Sequence, residues 1–165
     1  MAEVQTRVEG LSEILRALDA LPERLERTVV RAGLRDAIKT IAADLGSRVV
    51  AITRTGALAK SLRIRTRKKQ GQPHVMLQLG DKVAFYAHMV ERGTRPHEIR
   101  PAGARSLFFA GRARTLVNHP GAPGRFVVKA AYEAKAEESV EAFRRYVIER
   151  VGKEWNALAR KGLVG

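Results

Sequence analysis

The sequence contains no cysteine, and aromatic residues make up only 5% of its 165 positions. The first absence excludes a disulfide framework, a thiolate metal site and a cysteine nucleophile. The second leaves core formation to Leu, Val, Ile and Ala and supplies few rings on which bases could stack. No run approaches the roughly 18 apolar residues of a membrane span. The opening MAEVQTRVEG has two glutamates and no apolar stretch of the kind a signal peptide needs. Catalytic signatures are absent as well. There is no G-x-S-x-G elbow, and GQPHVMLQLG and GARSLFFAG fit neither a phosphate-cradling loop nor a dinucleotide loop. The expectation is a chain that is not an enzyme, takes no cofactor and has no membrane partner.

What is present is a globular composition, 45% apolar and 29% charged, at a length suited to one domain spanning residues 1–165. The net charge is +14, and its placement is uneven. Between Leu45 and Ala131 stand 17 Lys and Arg against three acids (Asp81, Glu91, Glu98), so this stretch alone carries +14, while the flanks hold 14 bases and 14 acids and cancel. A charge added for solubility would be spread along the chain; a block of one sign points to a surface that meets polyanion.

The flanks have helical spacing. Leu11, Ile14, Leu15, Leu18 and Leu21 step by three or four, with Ser12 near the start and Pro22 ending the run or opening the next helix. Leu25, Val29, Ala32, Ile38, Ile41, Leu45, Val49 and Ile52 continue a stripe to about Thr53, with Gly33 and Gly46 as points where a helix could bend or break. Val140, Phe143, Val147, Val151, Trp155 and Leu158 mark a long C-terminal helix, residues 126–161. We read these stripes as core, because an aromatic-poor domain needs every buried aliphatic. The basic middle, residues 45–131, reads as strands and loops. Leu62 and Ile64 alternate with Arg63 and Arg65, and Val75, Leu77 and Leu79 alternate again, which predicts a hairpin whose tip carries Arg67, Lys68 and Lys69. Alternation at Val83 and Phe85 then gives way to a helical turn closed by Gly93 in the left-handed region. Gly93 to Gly124 is a punctuated loop, with short strands expected at Arg105 to Ala110 and near Ala113 to Val117.

Metal chemistry would have to draw on His74, His88, His97 and His119 with Asp81, Glu91 and Glu98. His88 lacks a second histidine at helical spacing, and His97 and His119 each adjoin a proline, so the set does not form a ligand pattern. Nucleic-acid modules also leave no signature, so any DNA contact would be with phosphates, independent of sequence and steeply weakened by salt.

Three stretches in a fixed order carry a resemblance: Thr55-Gly56-Ala57-Leu58; Tyr86-Ala87 followed by Val90-Glu91-Arg92-Gly93-Thr94; and His119-Pro120-Gly121 leading to Phe126. Over most of its length the chain resembles the small neck or tail-completion proteins of long-tailed bacteriophages, the gene-product-ten-like family. Gly124-Arg125-Phe126 stands where relatives often carry a bulkier proline-Phe anchor. The resemblance implies an α+β fold in which a small antiparallel β-sheet packs against a long N-terminal helix and a long C-terminal helix, with extended loops. It implies a structural subunit of the head-to-tail junction, forming a homo-oligomeric ring of six, found in the virion and in the host cytoplasm during assembly. The implied partners are neighbouring connector, stopper and tail proteins and non-specifically held double-stranded DNA. On this reading Arg63, Arg65, Arg67, Lys68 and Lys69 form a hairpin facing DNA or an acidic ring. Glu91, Arg92, Gly93, Thr94, Arg95, Pro96, His97, His119, Pro120, Gly121 and Phe126 make loop or inter-subunit contacts, Glu91 as a structural partner for an arginine. A free-standing basic nucleic-acid-binding or toxin-like protein is the alternative.

Overall fold

The computed structural model describes Asp19 and residues 23–103 and 105–160. The expected helix through Leu11, Ile14, Leu15, Leu18 and Leu21 lies outside the described residues. Two long helices dominate the rest, α1 (Glu23–Ile52) and α4 (Val127–Arg160), about 45 and 51 Å long at roughly 1.5 Å per residue. They pack antiparallel: Val29 near the start of α1 meets Val147, while Leu45 and Val49 near its end share a core with Val127 and Ala131. The sequence dictates this contact. Every fourth residue of α1, from Val29 through Gly33, Ala37, Ile41 and Leu45 to Val49, is buried or half-buried, and rows with that spacing are the ridges by which helices seat on one another.

Gly33 does not break α1. A Cβ there would lie 3.0 Å from the Phe143 ring and 3.3 Å from that of Tyr146, so the missing side chain admits two aromatic edges from α4. The helix also runs unbroken through Gly46, and the α4 contacts on one side of the helix hold what intrinsic propensity alone would weaken.

Between the long helices the chain builds a small antiparallel β region, which completes an α+β fold. The short helix α2 (Ala57–Lys60) buries Leu58, and Ser61 ties it to the β region: its hydroxyl donates to the Leu58 carbonyl at 2.6 Å and accepts the Gly80 N–H at 2.9 Å. Strands β1 (Arg63–Lys69) and β2 (Gln72–Gln78) form a hairpin in full register from Arg63↔Gln78 to Lys69↔Gln72. Its two-residue turn, Gln70–Gly71, has positive φ at both positions, the mirror-image turn whose twist matches paired strands. Leu62, Leu77 and Leu79 pack on the main core.

The alternation expected at Val83 and Phe85 does not make a strand. The Asp81 carboxylate accepts the Val83 and Ala84 N–H groups, both at 2.9 Å, and turns the chain so that Ala84 is buried while Val83 and Phe85 are 72% and 66% exposed. Helix α3 (Ala87–Arg92) follows. From Gly93 to Pro123 the chain folds into three nested antiparallel pairs: β3 (Gly93–Thr94) with β8 (Ala122–Pro123), β4 (His97–Ile99) with β7 (Val117–His119), and β5 (Leu107–Phe109) with β6 (Arg112–Arg114). A second two-residue turn, Ala110–Gly111, again with positive φ at both positions, closes the end. What reads in sequence as a punctuated loop is thus one long arm, and among the described residues none in its strands belongs to either core cluster. No described helix is long and apolar enough to cross a membrane.

Candidate polyanion and partner interface

The hairpin sorts its cations by the alternation of strand side chains. Ile64, Thr66 and Lys68 share the face toward α1, where Thr66 accepts a hydrogen bond from the Arg35 guanidinium at 3.0 Å. Arg63, Arg65, Arg67 and Lys69 take the opposite, outward face, paired in register with Gln78, Met76, His74 and Gln72. Two-residue spacing sets neighbouring cations of that row roughly 7 Å apart. The expected three-cation tip is therefore corrected: β1 runs through Lys69, the turn itself is Gln70–Gly71, and Lys68 faces away from its neighbours. With Pro73, Lys68 lines a shallow cavity of about 260 Å³ against the first turns of α1, beside Glu23, Arg27 and Arg31.

Arg63 differs from the others in the row because Asp81 stands 3.8 Å away. The Ala84 and Val83 N–H groups, with Arg63 behind them, hold the Asp81 carboxyl below its ordinary range against an opposing effect of burial. Arg65, Arg67 and Lys69 make no ion pair with a described residue.

The second group of candidate residues forms the base of the arm. Glu91 makes no ion pair with a described arginine. Its two carboxylate oxygens instead accept the Val128 and Lys129 N–H groups at 2.9 and 3.1 Å, which caps the start of α4. The backbone reciprocates: Arg125 N–H donates to the Val90 carbonyl at 2.8 Å and Phe126 N–H to that of Glu91 at 3.1 Å. The end of α3 and the start of α4 thereby satisfy each other's unpaired groups. Phe126, half-exposed and with φ of 48°, is the residue from which α4 departs, its carbonyl taking the first helical bond from Ala130.

Gly93 closes α3 with φ of 78° and an extended ψ. That is not the left-handed helical geometry expected of it but a form open essentially to glycine alone. It leads straight into β3, and a Cβ there would sit 2.3 Å from the Ala122 carbonyl oxygen. Across the ladder, Gly121 (φ 86°) lies under the Arg95–Pro96 peptide, where a Cβ would come within 2.3 Å of the Thr94 oxygen. The Thr94 hydroxyl accepts the Ala122 N–H at 3.0 Å. Arg92, Arg95 and Pro96 remain exposed, and Pro120 follows the paired strand at its exposed edge. His97 and His119 face each other across β4 and β7, ring centroids 5.1 Å apart. His119 Nδ1 accepts the Gly121 N–H at 3.0 Å, so in this geometry a neutral ring carries its hydrogen on Nε2, while His97 Nδ1 lies 2.9 Å from the Arg95 carbonyl.

Among the described residues no group of three His, Cys, Asp or Glu comes together to hold a metal. His88 has Nδ1 on the Phe85 carbonyl at 3.0 Å. Sequence reasoning misses two residues. Asp81 acts as a turn cap, and its local signature is an Asp two residues before the N–H it accepts. Phe108 stands 82% exposed near the end of the arm. Comparison with protein-family models, with characterised proteins and with solved structures returned no match for this chain.

Proposed function

We propose that the protein is a structural subunit of the head-to-tail junction of a long-tailed phage or prophage particle, assembling as a ring of six that lines or seals the DNA channel. The observation that carries this reading is the outward row of Arg63, Arg65, Arg67 and Lys69 on a hairpin anchored to α1. A row of cations on a backed, fully paired ladder offers fixed positive charge to the phosphates, which suits a conduit that must hold DNA of every sequence. The helix pair supplies the body, and the strand-and-loop region supplies the surfaces that meet DNA, neighbouring subunits and the adjoining connector and tail proteins. The sequence resemblance to neck and tail-completion proteins supports the same assignment. The protein performs no catalysis in this role and works without a cofactor, in the virion and, during assembly, in the host cytoplasm.

The test is a duplex-DNA titration over a range of salt, with light scattering on the same sample. The outward row predicts a line of log affinity against log salt whose slope falls by about 2.7 when Arg65, Arg67 and Lys69 are all replaced by alanine, at roughly 0.9 for each phosphate no longer neutralised. Rings whose DNA affinity disappears at physiological salt are the expected result. A monomer that binds duplex tightly at that salt, or a slope unmoved by the triple substitution, would overturn the reading, the first in favour of a free-standing nucleic-acid-binding protein.

A further inference from the structure

The far end of the arm carries an exposed apolar ring and its base an apolar groove, and Phe108 is not among the residues that line that groove. The groove is lined by Ile52 at the end of α1, by Tyr86, Met89 and Val90 around α3, and by Pro123 of β8, with Arg125 as its one charged wall, and it is an open depression of about 290 Å³. Tyr86, in turn, meets the exposed Phe85 ring edge-on at 5.9 Å. At the other end of the arm, Phe108 is the most exposed large apolar side chain among the described residues. The register of β5 and β6 puts Phe108 with Ala113 on one face and Arg112 and Arg114 on the other, so the face that carries the ring is uncharged. The β3–β8 pair that borders the groove is the root of the same arm, and the β4–β7 ladder separates it from the end that bears Phe108.

We propose that Phe108 of one subunit seats in this groove on the next copy of the chain, a head-to-tail contact of the kind that repeats around a closed assembly. The proposal rests on the ring reading above and names the contact that would close it. Each copy offers both the Phe108 ring and the groove, so every subunit engages two neighbours through different surfaces. With the Phe108–Ala113 face docked, Arg112 and Arg114 stay turned away from the apolar contact, available to the channel.

Because the chain has no cysteine, the contact can be trapped without background. Ala113→Cys and Met89→Cys are introduced in separate chains, mixed and oxidised. Ala113 neighbours Phe108 on the same face and Met89 is an exposed wall of the groove, so a mixed disulfide between the two chains is expected. Adding Phe108→Ala to the Ala113→Cys chain should lower its yield about tenfold or more, the scale set by losing one buried aromatic anchor. No mixed disulfide at the highest soluble concentration would overturn the proposal. So would a disulfide between two Ala113→Cys chains forming as readily, which means a symmetric tip contact, or closure within one chain bearing both cysteines. Light scattering separates this from the ring itself. A mixed disulfide in a closed pair of subunits would keep the docking and sink the ring, whereas a ring that persists in Phe108→Ala without any mixed disulfide would sink the docking alone.

Discussion

The two hairpins of this protein use the same local chemistry and are held in opposite ways. Both turn through two residues of positive φ, Gln70–Gly71 and Ala110–Gly111, and both are rich in arginine. The β1–β2 hairpin lies on α1, with Ile64 and Thr66 facing the helix and Leu77 on the core. The arm of β3 to β8 places none of its described residues in either core cluster and is fixed at its root, by backbone contacts too close for any side chain and by the Glu91 carboxylate on α4. Cationic strands are therefore positioned in one case by burying a face and in the other by clamping an end. A face-anchored hairpin presents a fixed row of charge; an end-clamped arm presents reach.

The sharpest way to break that contrast is Gly93→Ala. A Cβ 2.3 Å from a carbonyl oxygen, at a φ and ψ closed to alanine, should cost roughly 3 kcal/mol or more. Its effect should stay local: amide exchange in β3, β4, β7 and β8 accelerates while β1 and β2 keep their protection. Equal loss in both hairpins would mean that the root of the arm is not separate from the body. A smaller effect is expected from Glu91→Gln, which keeps the shape but removes the charge and replaces one of the two accepting oxygens with an NH2 donor. It should lower stability by about 1–2 kcal/mol in denaturant unfolding, and less at high salt if the helix dipole is the larger part. Smallest is the pH dependence at the other hairpin. The Asp81 carboxyl is held below its ordinary range by the Ala84 and Val83 N–H groups and then by Arg63. The stability it contributes is therefore complete above the ordinary carboxylate range and is lost as pH falls through the depressed folded value. Asp81→Asn should flatten the acid limb of the stability curve, measured by thermal unfolding from neutral pH downward, and leave the arm untouched.

Legibility in the sequence follows the range of the forces involved. The long helices and the first hairpin are readable because a face buried over many residues leaves a period: four-residue steps from Val29 to Val49, and alternation from Leu62 to Leu79. The arm leaves little: the strand expected at Arg105 to Ala110 forms as Leu107–Phe109, whereas the one expected near Ala113 to Val117 is two, Arg112–Arg114 and Val117–His119. Its strands are two or three residues long, too short for a period, and β4 finds β7 across the whole β5–β6 hairpin, in a register set by prolines and glycines at the root. Glu91 misleads for a related reason, since its partners are the N–H groups of residues 37 and 38 positions later. One clue to it does stand in the sequence. Phe126, at the start of α4, offers no side-chain acceptor, which leaves the first N–H groups of that helix to water or to a group from elsewhere in the chain. Gly33 shows the converse error, in which low helical propensity suggests a break although the glycine makes room for Phe143.

The mutual capping of α3 and α4 has a consequence in polymer terms. The bonds from Arg125 to Val90 and from Phe126 to Glu91 bring the two ends of the arm together regardless of what lies between them. The entropy of closing that loop is met at the root, and doubling the length of an enclosed flexible segment would add only about 0.6 kcal/mol to it. The body is thus indifferent to the length of its arm, and reach can be lengthened or shortened by insertion at the Ala110–Gly111 turn without renegotiating the fold that carries it.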